Sequence, residues 1–164
     1  MTLVELVESI DLDERRSKKS IKDLKPNPKS KFKSGYFPLK DCKKYLQVDD
    51  EPCIYRSSLE FKVFYWCEQS PYIKNWVSEP FSIPYLFVNE RGETRRRNYN
   101  IDCVIEFTDG RLWFVEIKPH SLTKPNSFGF ELNKAKWNYA IKWCNEQPFD
   151  IEFKIITEKF NFYI

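Results

Sequence analysis

At 164 residues the chain has room for one domain plus an extension, and its 41% hydrophobic and 17% aromatic content excludes a mainly disordered protein. No apolar run approaches the roughly 20 residues of a membrane span. The N-terminus carries acids where a secretory signal would be basic, so a soluble, unexported protein with no membrane partner is expected. Cysteines are scattered, no CxxC pair exists and there is a single histidine, which argues against structural zinc. Cys67, Cys103 and Cys144 sit among apolar neighbours and read as small core residues.

In chain order, Leu3 to Ile10 has the pattern of a short amphipathic helix, a candidate docking peptide. The net charge of +3 then conceals an asymmetry. Arg15 to Lys44 holds 12 Lys/Arg against Asp23 and Asp41, a balance of +10 that leaves −7 for the remainder. With Pro26, Pro28, Pro38, Gly35 and several serines, this stretch reads as an extended or partly disordered arm. Such an arm can neutralise nucleic-acid phosphates, thread over a protein partner, or stay solvated. Residues 1–54 are assigned to this basic N-terminal extension and 55–164 to the folded domain.

Within that domain, Arg56 to Glu68 reads as a helix with Leu59, Val63, Phe64, Trp66 and Cys67 on its apolar face, started by a Ser57…Glu60 capping box and ended by Pro71. Val77 to Val88 alternates apolar residues but contains two prolines, so it is expected as an edge strand. Asn89 to Gly92 is a turn. Tyr99 to Phe107 and Leu112 to Lys118 are strands joined at Asp109-Gly110. Leu132 to Glu146 is a second helix and Ile151 to Thr157 a last strand. The order helix, three antiparallel strands, helix, strand predicts an α/β domain with a mixed sheet flanked by helices.

The informative chemistry lies on the two middle strands. Glu116 and Lys118 are two apart and so share a face, and Asp102 occupies the neighbouring strand. Paired carboxylates can hold a divalent cation such as Mg²⁺ or Mn²⁺, and the lysine can steady an oxyanion or its attacking water, as metal-assisted phosphodiester hydrolysis requires. Plain alternatives exist for each residue. Asp102 shares parity with Asn100 and Glu106 and could face solvent, Glu116 and Lys118 could form a buried ion pair, and Glu60 could merely cap its helix. Register discriminates: a two-residue loop at Asp109-Gly110 opposes Asp102 to Ile117, whereas a three- or five-residue connection opposes it to Glu116. Arg95, Arg96 and Arg97 run into the Asp102 strand as either a solvated edge or a phosphate clamp, and Arg56 joins them as a candidate nucleic-acid contact. His120 is left unassigned.

The Asp-x13-Glu-x-Lys spacing and the α-β-β-β-α-β order resemble the PD-(D/E)xK, restriction-endonuclease-like superfamily. Further segments sharpen the likeness: Tyr55–Glu60, Ser78–Tyr85, Arg96-Arg97 ahead of Asp102, Phe114–Pro119, Lys136-Trp137 and Phe153–Glu158. In this order they resemble the head-completion nucleases of T-even-like contractile-tailed bacteriophages and, more distantly, the N-terminal domain of TnsA-like endonucleases. The resemblance covers about residues 55 to 158 and leaves out the basic arm. It implies Asp102 and Glu116 on Mg²⁺, Lys118 orienting water or stabilising the transition state, and Glu60 as a further active-site acid. It also implies double-stranded DNA as substrate, head, portal or neck proteins as partners, and action in the host cytoplasm during assembly or at the head–tail junction. Two alternatives stay open, a structural neck or head protein and a transposition endonuclease.

Overall fold

Four strands carry the architecture in the computed structural model, which describes residues 1–10, 25–29 and 33–163. In spatial order they are β3 (Ile73–Ser78), β6 (Cys103–Phe107), β7 (Leu112–Ile117) and β8 (Ile151–Ile156). The pairs β3–β6 and β6–β7 are antiparallel, and β7–β8 is parallel. Helix α2 (Ser58–Gln69) precedes β3, and helix α3 (Phe130–Glu146) makes the crossover from β7 to β8. This is the expected α-β-β-β-α-β order. Residues of β6 and β7 are buried on both faces apart from a partly buried Trp113, so their sequences are near-continuous apolar runs.

The two faces bury separate clusters. Trp76, Cys103, Ile105, Val115 and Ile117 meet Val63, Phe64, Trp66 and Cys67 of α2. Val77, Val104, Leu112 and Phe114 meet Ala140 and Cys144 of α3. Helix α2 starts where the Ser57 hydroxyl accepts the Glu60 N–H at 3.1 Å, and it stops at Ser70, ahead of Pro71.

Between the first and second core strands the chain inserts a ribbon, β4 (Ser82–Val88) paired antiparallel with β5 (Thr94–Asn100). The expected single strand from Val77 to Val88 is therefore two strands in different sheets. The break falls at Glu79-Pro80, where Glu79 takes φ +46 and Pro80 has no N–H for a ladder. The first core strand begins earlier than its apolar pattern suggested. The expected strand Tyr99–Phe107 also breaks, at Ile101-Asp102, passing from ribbon to sheet.

The division at 54/55 does not match the packing. Helix α1 (Leu3–Ser9) buries Leu3, Leu6 and Val7 in the same cluster as Val104 and Phe114, so the amphipathic peptide docks on its own domain. Strands β1 (Gly35–Tyr36) and β2 (Ile54–Tyr55) pair across the proposed boundary. Gly35 leaves room for the Tyr55 ring, since a Cβ there would lie 2.6 Å from the Tyr55 hydroxyl and the ring would have to shift. Residues 44–46 are stitched to the sheet edge by Trp76 N–H to Lys44 C=O at 3.1 Å and Leu46 N–H to Trp76 C=O at 2.9 Å. Much of the expected extended arm, 11–24 and 30–32, lies outside the described residues. Among the described residues no helix is long and apolar enough to cross a membrane.

Candidate active site

The hairpin between β6 and β7 decides whether the motif residues meet. Its connection has three residues, Thr108 to Gly110, with Phe107 and Arg111 bonded at 2.9 Å and Gly110 at φ +91. The pairs Cys103↔Val115 and Val104↔Phe114 follow, so the next position opposes Asp102 to Glu116 on one face. The two-residue register that would separate them does not occur. Thr108 N–H donates instead to Tyr72 C=O at 2.9 Å, on the approach to β3, which withdraws it from the hairpin ladder.

Asp102 stands just before β6, and its Oδ2 accepts the Ile117 N–H at 2.7 Å. Burial, then the nearby Glu116 and Glu60 carboxylates, push its pKa well above the usual carboxylate range. Glu116 is buried on β7. Its Oε2 accepts the Tyr99 hydroxyl from β5, and its Oε1 lies 3.4 Å from Lys118 Nζ. Lys118 Nζ also lies 3.4 Å from Asn133 Oδ1 on α3. Glu116 and Lys118 thus form the close pair expected from spacing, at the end of the strand, where Lys118 stays partly exposed.

Glu60 approaches from the N-terminus of α2. Its carboxylate accepts the Arg56 N–H at 2.6 Å, one residue earlier than a capping box would use. Burial raises its pKa to about 7, with Glu79 and Glu116 adding to the rise and Arg56 opposing it. The candidate acids thus converge from α2, β6 and β7 on one acidic locus.

The arginines separate. Arg56 pairs with Glu79 through Nε at 3.5 Å. On β5, Arg95 and Arg97 share the ribbon face of Tyr99, opposite Phe87 and Tyr85, while Arg96 lies on the other face opposite Leu86. All of β5 except Tyr99 is exposed. Arg95 is ion-paired to Glu93, and Arg97 lies 5.8 Å from the Phe87 ring centroid. His120 offers its backbone N–H to Glu158 at 2.9 Å.

Three site residues escaped sequence reasoning: Tyr99, Asn133 and Glu79. Asn133 did leave a signal, a polar residue buried on the stripe that continues with Trp137, Ala140 and Cys144. Tyr99 and Glu79 left none, because their roles depend on how the ribbon leaves the sheet.

Among the described residues no group of three or more His, Cys, Asp or Glu is arranged to hold a metal ion by protein ligands alone. The Asp102 and Glu116 carboxylates nevertheless fit Mg²⁺. They are hard oxygen donors on one face, unfavourable as a like-charged pair, and Mg²⁺ takes one or two carboxylates with the rest of its shell from water and phosphate.

Residues 70–158 match the TnsA-like endonuclease N-terminal family model. The chain is also similar to the head completion nuclease of Enterobacteria phage T4, at 31% identity over 142 residues, covering 76% of this chain and 91% of that protein. On this likeness and this topology, the chain belongs to the head completion nuclease family, TnsA-like endonucleases of restriction-endonuclease-like fold.

Proposed function

We propose that this protein is a divalent-metal-dependent endodeoxyribonuclease of PD-(D/E)xK type that cuts double-stranded DNA during completion of a phage head. The observation that carries the reading is the opposition of Asp102 and Glu116 across β6–β7, with Lys118 Nζ 3.4 Å from Glu116. Asp102 and Glu116 would hold Mg²⁺ or Mn²⁺, and the bound ion supplies Lewis-acid stabilisation and a more acidic water.

The chain's own groups do the rest. Lys118 is steered by Asn133 and Glu116 and stabilises negative charge on the phosphate under attack. Glu60, with a pKa raised to about 7, is suited to take the proton of the attacking water near neutral pH. Tyr99 orients the Glu116 carboxylate. Arg95, Arg96 and Arg97 line a ribbon that starts at the site and can follow the DNA backbone. Partners would be head, portal or neck proteins, met in the host cytoplasm or at the head–tail junction.

Cleavage of linear and supercoiled plasmid with Mg²⁺ or Mn²⁺, beside Glu116→Ala, tests this directly. Metal-dependent cutting that disappears in the variant is expected. A folded wild type that cuts no substrate under either metal would instead favour a structural neck role.

A further inference from the structure

Glu79 is an unusual residue to find at a turn in the left-handed region. Its φ of +46 suits glycine or asparagine, and for glutamate it costs on the order of 1 kcal/mol. Such a conformation persists where both sides of the residue are held. Glu79 N–H donates to Asp102 C=O at 3.1 Å, and its carboxylate meets Arg56 Nε at 3.5 Å. Arg56 in turn donates its backbone N–H to Glu60 Oε2 at 2.6 Å. These contacts form a continuous path from Glu60 through Arg56 and Glu79 to Asp102. It joins the start of α2, the turn after β3 and the start of β6.

We infer that Arg56 and Glu79 are positioning residues, a brace that sets Glu60 against Asp102 for the cleavage reaction. The inference rests on the nuclease reading above. The acids need such a device because the Glu60, Asp102 and Glu116 carboxylates repel one another; packing of α2 on the sheet brings the helix close, and the brace fixes where its first turn holds Glu60. An isolated ion pair at the surface would contribute little. This pair differs because each partner's backbone also holds one of the acids. It also gives Arg56 a role other than gripping DNA phosphate, although both were open from the sequence.

The test compares Glu79→Gln, Arg56→Gln, the double variant and Arg56→Lys in the full chain, once far-UV and near-UV circular dichroism show native folding. Steady-state plasmid cleavage is read beside Mn²⁺ affinity by calorimetry and the salt dependence of duplex binding in Ca²⁺. The brace predicts that each Gln variant lowers kcat on the order of 10- to 100-fold, with KM for DNA and the salt slope unchanged. The double variant should lose no more than the worse single, and Arg56→Lys should recover most of the rate. Both Gln variants should also weaken Mn²⁺ binding. A simple charge effect predicts the opposite sign for Arg56→Gln, since removing a cation near carboxylates would tighten Mn²⁺.

The inference is overturned by unchanged kcat in Glu79→Gln, by multiplicative losses in the double variant, or by tighter Mn²⁺ binding in Arg56→Gln. An Arg56→Gln effect confined to KM, with about one unit lost from the salt slope, would return Arg56 to phosphate contact. If the wild type binds Mn²⁺ but cuts nothing, the nuclease reading fails, and the Mn²⁺ affinities alone decide the brace.

Discussion

The hairpin β6–β7 buries carboxylates at both ends, and their surroundings differ. At one end Glu106 is 2% exposed. It accepts the Leu3 N–H at the start of α1 at 3.2 Å and pairs with Lys74 at 3.4 Å. At the other end Asp102 and Glu116 face each other with Glu60 and Glu79 nearby, so burial and like charge act together on Asp102. Glu106 and Asp102 share strand parity, and that parity supported a solvent-facing reading of Asp102. Parity proves uninformative here, because Val104 and Glu106 are buried on that face and Asp102 is partly so. What separates a structural carboxylate from a chemical one is its neighbours: donors and a cation at one end, other acids at the other.

The largest expected effect tests that contrast with isosteric changes. Asp102→Asn keeps an acceptor for the Ile117 N–H, so the fold should remain while plasmid cleavage falls by about 10³-fold or more. Thermal melting of the same variant at pH 8 without metal should be no lower than wild type, since the repulsion from Glu116 and Glu60 is gone. A wild-type cleavage rate would remove Asp102 from the reaction and erase the difference between the two ends.

Next in size is a pH dependence confined to the acidic end. Glu60 titrates near 7 when folded and near 4.5 when unfolded, so between those values the folded chain binds more protons. Stability therefore falls as pH rises through this window, and the penalty is complete above about 7. Glu60→Gln removes it, by at most about 3 kcal/mol. Denaturant melts should show the variant equal to wild type near pH 4 and more stable at pH 8. Equal curves at pH 8 would mean that Glu60 reaches solvent or a cation and carries no burial penalty.

The structural end should respond in the opposite sense. Glu106→Ala leaves the buried Leu3 N–H without its acceptor and loosens α1, at a cost of about 2 kcal/mol. Cleavage per folded molecule should stay at the wild-type rate. Loss of cleavage with stability intact would make the hairpin's two ends one functional unit.

Legibility in the sequence follows the same divide. The apolar runs of β6 and β7 were legible as strands, and Glu116 with Lys118 needed only the two-residue period of a strand. Helices α2 and α3 were legible from their stripes to within two residues at each end. The hairpin register was not, because Asp109-Gly110 suggests a two-residue turn, whereas the Thr108 bond to Tyr72 draws a third residue out. Strand β3 hid because Lys74 and Asn75 interrupt its apolar pattern and the alternation downstream runs on past Glu79. The ribbon, and with it the place of Tyr99, depends on the chain turning out of the sheet at a residue type that rarely does so. Helix α1 was legible as a helix, but not the domain face it covers, since Leu3, Leu6 and Val7 would suit any apolar partner.

The smallest expected effect comes from Tyr99, and it sharpens the contrast most finely. Glu106 is held by the Leu3 backbone N–H, which survives every substitution there except proline, so that part of its environment comes with the fold. Glu116 is held by a side-chain hydroxyl from a ribbon outside the main sheet, so its hydrogen bonding can change without unfolding anything. Tyr99→Phe removes that donor and keeps the ring, which packs 5.9 Å from Phe114 and under Lys136 at 5.8 Å. Glu116 then relies on Lys118 alone and loses its fixed orientation. The expected result is a fall in kcat of about tenfold with stability changed by less than about 1 kcal/mol. A kcat equal to wild type would show that Lys118 alone suffices to orient Glu116, and that Tyr99 serves this end of the hairpin only as packing.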